Sequence, residues 1–372
     1  MSTFKNLGLH SSYVKSLKEL GIKSPTDIQA QAIPLLLNAN TDLVGLAQTG
    51  TGKTAAFGLP LLHKINPELN AVQALILAPT RELVQQIKKQ LFKFTKYNSS
   101  KIFVEGVYGG EKIEIQLKNL ARPTHIIVAT PGRLVDLINR EAISLKSIQT
   151  VVFDEADEML SMGFKNDLTT ILSSTPKNKQ TWLFSATMPQ DLKVIVERYI
   201  KPNAKRLQID KSNILNTNIS HYYVQTSLKA KVDTLVALLE QRSEERGIIF
   251  CRTKAGTQSL TQELQNEGFN VAALEGDMQQ RDRDKVMRAF KNKSLQYLVS
   301  TDVSARGIDV SDLGFVIHYQ LPEHLEYFTH RSGRTARAGK KGASIAIVLD
   351  NEQAKLTEIK SKLGINMTLI KV

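Results

Sequence analysis

The chain is poor in cysteine and in long apolar runs, and each scarcity excludes a class of protein. A single cysteine, Cys251, among 372 residues rules out an internal disulfide framework and a cysteine-rich zinc site. Because Cys251 closes an apolar run at 247–250, we expect it to be buried and inert. No run approaches the roughly 18 apolar residues of a membrane span, and residues 1–20 lack the layout of a signal peptide. We therefore expect a soluble, cytoplasmic protein with no membrane partner.

Acidic residues are also scarce relative to basic ones. The chain has 49 lysines and arginines against 36 aspartates and glutamates, a net charge of +13. Both halves of the chain are basic, which favours a polyanion that lies across both. Charge that serves only solubility is the other interpretation, and composition alone does not separate the two.

Short apolar runs alternate with longer amphipathic stretches, and this pattern predicts parallel-sheet α/β domains. A chain of 372 residues is long enough for two of them. We place the domains at 1–205 and 221–372, joined by a polar linker at 206–220. The oligomeric state is open, with a monomer as the working expectation. The predicted strands are 43–47, 74–78, 103–107, 126–129, 151–153 and 181–184, then 221–225, 247–250, 271–274, 297–300, 315–318 and 344–349, and helices are predicted at 81–94 and 131–138.

The run AQTGTGKT at 47–54 fits the phosphate-loop pattern G-x-x-x-x-G-K-[ST]. Its glycines let the loop turn backbone amides onto phosphate oxygens, and a helix N-terminus behind it favours anions. The lysine would reach the β- and γ-phosphates, and the last threonine would bind Mg²⁺. The candidate loop residues are Gln48, Thr49, Gly50, Thr51, Gly52, Lys53 and Thr54.

A second element, which is acidic, follows the apolar run 151–153. Asp154 would be the carboxylate partner of Mg²⁺, and Glu155 would polarise the attacking water. A phosphate-loop pattern can arise by chance, and acidic clusters are usually solvated surface. The two elements together favour a nucleoside triphosphatase.

The run HRSGRTAR at 330–337 carries three arginines spaced three apart. On a helix, this spacing would align Arg331, Arg334 and Arg337 along one face. The run contains no carboxylate that could pair with these guanidinium groups, so we expect them to bind phosphates. Arg334 and Arg337 would act as arginine fingers. A basic helix face open to solvent is the alternative.

In this order the motifs resemble those of the DEAD-box ATP-dependent RNA helicases, over residues 4 to about 363. The resemblance implies two tandem RecA-like parallel-sheet domains joined by a short flexible linker, with residues 1–30 as the Q-motif segment. The motifs that carry it are PTDIQ at 25–29, AQTGTGKT, PTRELVQQ at 79–86, the glycine pair at 109–110, TPGR at 130–133, DEAD at 154–157, SAT at 185–187, STDVSARGID at 300–309 and HRSGRTAR.

The resemblance also implies residue roles. Gln29 is similar in position to the family's adenine reader, with Phe4 packed nearby, and Asp309 to its ribose contact. Ile22 replaces the aromatic residue more usual there, so stacking on adenine is expected to be weaker. The residues implied to couple the nucleotide site to the domain interface are Asp157, Ser185, Thr187 and His330. Those implied to contact RNA are Pro79, Thr80, Arg81, Gly110, Thr130, Gly132 and Arg133 in the first domain and Arg252, Gln280, Arg283 and Thr301 in the second.

The implied activity is RNA-stimulated hydrolysis of ATP to ADP and phosphate, coupled to cleft closure and local separation of RNA duplexes. The implied cofactors are ATP and Mg²⁺, and the implied partner is RNA, as a single strand or short duplex. Glycines, hydroxyls and helix N-termini suit backbone contacts, so binding is expected to be independent of base sequence. An ATP-gated RNA clamp shares every motif, and RNA release measured against ATP turnover would separate it. A DNA-unwinding helicase is the third alternative, tested by competition between RNA and DNA.

Overall fold

The computed structural model describes residues 3–48, 50–209, 218–305, 310, 313–336 and 340–372. It divides into two compact units, Met1–Lys211 and Ser212–Val372. Each unit has its own seven-stranded sheet, and every pair of neighbouring strands within a sheet is parallel. The predicted fold class, two RecA-like parallel-sheet α/β domains, is confirmed.

The first sheet has the strand order β3-β4-β2-β5-β6-β1-β7. Its strands are β1 (Leu43–Leu46), β2 (Ala74–Leu77), β3 (Val104–Val107), β4 (Ile126–Ala129), β5 (Thr150–Asp154), β6 (Gln180–Ser185) and β7 (Lys205–Gln208). The helices of this unit are α1 (Ser11–Glu19), α2 (Asp27–Asn38), α3 (Lys53–Lys64), α4 (Arg81–Phe94), α5 (Ile113–Leu120), α6 (Pro131–Asn139), α7 (Ala156–Ser161), α8 (Lys165–Ser173) and α9 (Gln190–Tyr199). Short 3₁₀ turns lie at Phe4–Leu7 and Thr95–Tyr97.

The second sheet has the order β10-β11-β9-β12-β13-β8-β14. Its strands are β8 (Ile219–Thr226), β9 (Gly247–Cys251), β10 (Val271–Leu274), β11 (Tyr297–Thr301), β12 (Phe315–His318), β13 (Gly342–Leu349) and β14 (Thr368–Leu369). The helices are α10 (Lys231–Glu240), α11 (Lys254–Asn266), α12 (Gln280–Lys291), α13 (Asp302–Ala305), α14 (Leu325–Ser332) and α15 (Gln353–Leu363), with a 3₁₀ turn at Asp350–Glu352.

The central strands read as unbroken apolar runs because helices cover both faces of each sheet. In β2, Ala74 and Ile76 pack into one core cluster, and Leu75 and Leu77 pack into the other on the opposite face. Cys251 is buried at the end of β9, and burial raises the pKa of its thiol to about 12, as the prediction of an inert residue requires.

The 206–220 segment predicted to be a linker is structured at both ends. β7 pairs with β1, and Leu43 lies opposite Lys205. An edge strand needs no apolar run, and β7 is largely exposed, so the polar composition that indicated a linker does not exclude a strand. At the other end β8 begins at Ile219. In the described part of the chain, no helix is both long and apolar enough to cross a membrane.

Two buried histidines contact the ring of Phe328 in the second unit. The ring centroids of His318 and Phe328 are 4.2 Å apart, and those of His221 and Phe328 are 5.9 Å apart. His318 Nε2 lies 3.0 Å from Ser344 Oγ, whereas neither ring nitrogen of His221 has a hydrogen-bond partner among the described residues. Burial lowers the pKa of His221 to about 4.

His221 should therefore make folding sensitive to acid. Between its unfolded pKa of about 6.5 and its folded pKa of about 4, the unfolded chain binds more protons. The contribution of His221 to stability is fully present above the unfolded pKa. It falls as the pH drops toward the folded pKa, by about 2 kcal/mol between roughly pH 7 and pH 5. His221→Phe keeps the ring contact and removes the titration. In urea unfolding of the full chain at both pH values, the loss of stability on acidification should be about 2 kcal/mol smaller in His221→Phe than in the wild type. An equal loss in the two proteins would contradict the assignment.

Candidate functional site

The phosphate loop runs from the end of β1 to the start of α3. Gly50 and Gly52 have φ angles of +85° and +88°, the left-handed region that other residues rarely adopt. Gly52 is the N-cap of α3, so the loop amides lie at the positive N-terminal end of the helix. Lys53 is buried, and its Nζ donates to the carbonyl oxygen of Ala47 at 3.1 Å. The loop is thus held in shape by its own lysine.

Gln29 supports this loop directly, a role that the sequence did not reveal. Its Oε1 accepts from the amide of Thr26 at 3.1 Å, and its Nε2 donates to the carbonyl oxygen of Gly52 at 3.0 Å. A Cβ at Gly52 would lie 2.2 Å from that Nε2, so any larger residue would displace the Gln29 amide from this hydrogen bond. A side-chain amide has a second proton and a second lone pair, which leaves Gln29 able to pair with an adenine edge as well. Phe4 is 4% exposed and belongs to the adjoining core.

The acidic pair lies at the end of β5, two strands from the loop-bearing β1. Asp154 is buried, and its Oδ1 has no hydrogen-bond partner among the described residues. Burial raises the pKa of Asp154 to about 7, and the positive charge of Lys53 opposes that rise. Glu155 has φ +54°, a strained conformation for a residue with a side chain, and is buried.

The unpartnered Asp154 oxygen is the kind of ligand that Mg²⁺ takes. Magnesium keeps most of its waters and needs only one or two carboxylates beside substrate phosphates. In the described ranges, no group of three or more His, Cys, Asp or Glu side chains is placed to hold a metal ion. The Asp154 carboxylate fits Mg²⁺ as a single protein ligand, and Thr54 stays a predicted second one.

Asp157, Ser185 and Thr187, three of the four residues implied to couple the nucleotide site to the domain interface, form one hydrogen-bond network. Asp157 Oδ2 accepts from the amide and the hydroxyl of Thr187, both at 2.8 Å. The Asp157 amide donates to Ser185 Oγ at 3.2 Å. The network ties the start of α7 to the segment after β6, next to the acidic pair. His330, the fourth implied member, lies on α14 of the second unit.

The candidate RNA residues of the first unit follow β2, β3 and β4. Thr80 and Thr130 are the N-caps of α4 and α6, which begin directly after β2 and β4. Arg81 Nη1 donates to the carbonyl oxygen of Gly109 at 3.2 Å, and Arg133 Nη1 to that of Glu111 at 3.1 Å. Two helix N-termini and two fixed guanidinium groups are well suited to phosphate oxygens. The remaining members lie beside them: Pro79 precedes Thr80, Gly110 follows β3, and Gly132 is in the first turn of α6.

The second unit repeats this placement. Arg252 follows β9, and its amide donates to Gln320 Oε1 at 2.7 Å. Gln280 begins α12, and on the same helix Arg283 Nη2 donates to the carbonyl oxygen of Ser304 at 2.8 Å. Thr301 ends β11. These residues therefore follow β9, β10 and β11, which are neighbours at one side of their sheet.

The expectation for the arginine row is wrong in one member and in its helical geometry. Arg331 is 1% exposed, and its Nε and Nη2 donate to the two carboxylate oxygens of Asp302 at 2.6 and 2.7 Å. Its Nη1 donates to the carbonyl oxygen of Gln320 at 2.7 Å. Arg331 therefore stabilises the fold and is not available to bind a phosphate. Asp302 lies in the STDVSARGID run, outside residues 330–337, so the run HRSGRTAR by itself does not reveal this partner.

The helix also ends too early for three aligned arginines. α14 stops at Ser332 with Gly333 as its C-cap, so Arg334 lies in the following turn. Arg334 is buried, and its Nε donates to the carbonyl oxygen of His330 at 3.3 Å. Arg337, together with the loop residue Thr49 and the ribose candidate Asp309, lies outside the described residues.

The strand orders divide the candidates into two groups. In the first sheet, RNA candidates follow β3, β4 and β2, whereas the phosphate loop, the acidic pair and three of the coupling candidates follow β1, β5 and β6. In the second sheet, RNA candidates belong to β10, β11 and β9, whereas His330 and Arg334 come after β12. Parallel strands end at one edge, so each sheet presents both groups of candidates side by side at that edge.

Comparison with known proteins identifies the family. Residues 26–195 match the family described as DEAD/DEAH box helicase, and residues 230–339 match the helicase conserved C-terminal domain. The chain is 43% identical over 358 residues to the DEAD-box ATP-dependent RNA helicase CshA of Bacillus licheniformis, which covers 96% of this chain and 73% of that protein. The chain belongs to the DEAD-box ATP-dependent RNA helicases. It is therefore an enzyme that hydrolyses ATP, as predicted.

Other relatives agree with this membership. CshA of Bacillus subtilis is 42% identical over 358 residues, which is 96% of this chain and 72% of that protein. Among solved structures, S. cerevisiae Dbp5 bound to RNA and ADP BeF3 has a TM-score of 0.92 at 33% identity and covers 100% of this chain and 96% of its own. A DEAD box protein from Methanococcus jannaschii has a TM-score of 0.58 at 39% identity, with 99% of each chain covered.

The structural role of Arg331 can be tested through its partner. Asp302→Ala would leave a buried guanidinium without a counter-charge, which typically costs about 3 to 5 kcal/mol. We expect the free energy of unfolding of the second unit to fall by about 3 kcal/mol in a denaturant titration of the full chain. Lys254→Ala, which breaks the exposed pair between Lys254 and Asp277, is the matched control and should cost under about 1 kcal/mol. An equally small loss for Asp302→Ala would refute the role.

Proposed function

We propose that this helicase hydrolyses ATP at the phosphate loop and the Asp154–Glu155 pair. The observation that carries the proposal is the buried Asp154 oxygen without a partner, near enough to Lys53 for the lysine charge to affect its pKa. Lys53 would bind the β- and γ-phosphates, and Glu155 would orient and polarise the attacking water. Mg²⁺, held by Thr54 and Asp154, would supply charge neutralisation on the phosphates. Gln48, Thr49, Gly50, Thr51 and Gly52 would provide backbone amides and loop shape.

Base and sugar recognition would come from three further residues. Gln29 would pair with the adenine edge through the proton and lone pair that its internal hydrogen bonds leave over, an arrangement that guanine does not match. Phe4 would pack beneath this region, and Asp309 would bind the ribose.

Hydrolysis would also require the second unit. We assign Arg334 and Arg337 the role of binding developing negative charge on the transferred phosphate, since that unit has no phosphate loop of its own. The nucleotide site would be coupled to the second unit by Asp157, Ser185, Thr187 and His330. Because ATP and RNA would each favour the same active arrangement, each would strengthen the binding of the other.

RNA would bind along the strand ends that carry the RNA candidates in each unit. Helix N-termini, threonine hydroxyls and arginines contact phosphates and 2′-hydroxyls and carry no base code. Binding should therefore be independent of sequence and steeply dependent on salt. A monomer in the cytoplasm is the form in which we expect the enzyme to act.

Glu155→Gln tests the assignment most simply. If Glu155 polarises the attacking water, turnover should fall by orders of magnitude, while ATP-dependent RNA binding persists because Lys53 and Asp154 are unchanged. ATPase rates and RNA binding with and without ATP are the measurements. Lys53→Ala is the companion variant and should weaken nucleotide binding itself. A parallel loss of nucleotide affinity in Glu155→Gln would remove Glu155 from the chemical step.

A further inference from the structure

The surface of α4 carries basic and aromatic groups beyond those assigned to RNA above. Between residues 81 and 101 the sequence has six lysines or arginines and one acidic residue. Gln85, Lys89, Phe92 and Lys93 are exposed along one side of the helix. Phe92 is 74% exposed, and the next most exposed phenylalanine, Phe103, is 44% exposed. A single exposed apolar residue is common, so the surface around Phe92 decides whether it marks a binding site.

Two adjoining grooves meet at this phenylalanine. One, of about 350 Å³, is lined by residues of α4 together with Tyr108, and the other, of about 660 Å³, extends toward Lys101. Phe92, Ile102 and Val104 line both. The grooves therefore form one continuous apolar floor between α4 and the edge strand β3.

The first groove begins where the candidate RNA residues end. The Arg81 guanidinium lies 5.2 Å from the ring centroid of Tyr108, and Gln85 Nε2 donates to the Tyr108 hydroxyl at 3.0 Å. Arg81 is thus joined through Tyr108 to the groove floor. Some of the positive charge is already used, since Lys88 lies 2.9 Å from Glu105 and Lys96 pairs with Glu19. Lys89 and Lys93 flank Phe92, and within the described part of the chain neither lysine forms an ion pair of this kind.

We propose that this groove, which we call the α4 groove, binds a single-stranded extension of the RNA beyond the segment held by the motif residues. The inference rests on the RNA-binding function proposed above and adds to it. Bases would stack on Phe92, and Lys89 and Lys93 would contact phosphates, the combination that single-strand binding surfaces use without regard to sequence. The 14 residues of α4 span about 21 Å, room for up to roughly six nucleotides at the stacked spacing of about 3.4 Å.

RNA fits the observations better than a protein partner does. A peptide that adds to the edge of a sheet gains its affinity from main-chain hydrogen bonds and needs no positive charge. Here the basic residues lie on the helix side of the groove and continue directly from Arg81. An acidic, apolar peptide would match the charge but would not explain that continuity.

The test compares short and extended RNA on the full-length chain. The short probe is the shortest oligouridine that fully stimulates the wild-type ATPase, and the long probes add about six uridines at the 5′ or at the 3′ end. Affinity is measured by fluorescence anisotropy with a non-hydrolysable ATP analogue. In the wild type, one of the two extensions should tighten binding about tenfold, as expected for a stacked base with phosphate contacts.

Two variants separate the contributions, and a third is the control. Phe92→Ala should remove most of the gain without changing the salt dependence, whereas Lys89→Ala should reduce the slope of log affinity against log salt by about 0.7 for the extended RNA. Both should keep the wild-type affinity and ATPase with the short probe. Lys193→Ala/Val194→Ala alters an exposed lysine and an exposed apolar residue on α9, at the other side of the same sheet, and should keep the full gain.

The outcomes distinguish this inference from the proposed function. If short RNA stimulates the ATPase but neither extension tightens binding, or if Phe92→Ala and the control lose the gain equally, the α4 groove does not bind RNA. That result would leave the groove to a protein partner, and the proposed function would stand. If no oligouridine of any length stimulates the ATPase, the proposed function itself fails.

Discussion

The parallel direction of the strands within each sheet is the constraint on which the rest of the structure depends. It brings the carboxyl ends of all strands to one edge, where loops that are far apart in the chain become neighbours. The phosphate loop after β1 and the acidic pair at the end of β5 are separated along the chain by more than a hundred residues, yet only β6 lies between their strands. The order of strands therefore decides which loops cooperate.

The nucleotide region departs from ordinary backbone and burial rules in several places at once. Glu155 adopts a left-handed conformation, Asp154 buries an oxygen without a partner, and two glycines of the loop have positive φ. The Glu155 backbone and the unpaired Asp154 oxygen cost stability, and such costs concentrate where a fold is arranged for a ligand. The two faces of the first sheet are packed in the ordinary way, with alternating strand residues in separate cores.

Much of the fold followed from periodicity alone. The strands β4, β10 and β12 and the helix α4 have the predicted bounds, because buried runs and an amphipathic face are strong local signals. β7 was missed because an exposed edge strand has no apolar pattern. The buried position of Arg331 was missed for another reason: its partner Asp302 is close in space and distant in sequence, so no local pattern reports it. The support that Gln29 gives to Gly52 is hidden from sequence in the same way.

We propose that groups on both units complete one ATPase. The direct measurement is the RNA-stimulated ATPase of residues 1–211 alone beside that of the full chain, with ATP binding followed in parallel. We expect the first unit to bind ATP weakly and to show no hydrolysis stimulated by RNA, because Arg334 and Arg337 are absent. Full RNA-stimulated activity in residues 1–211 alone would contradict it.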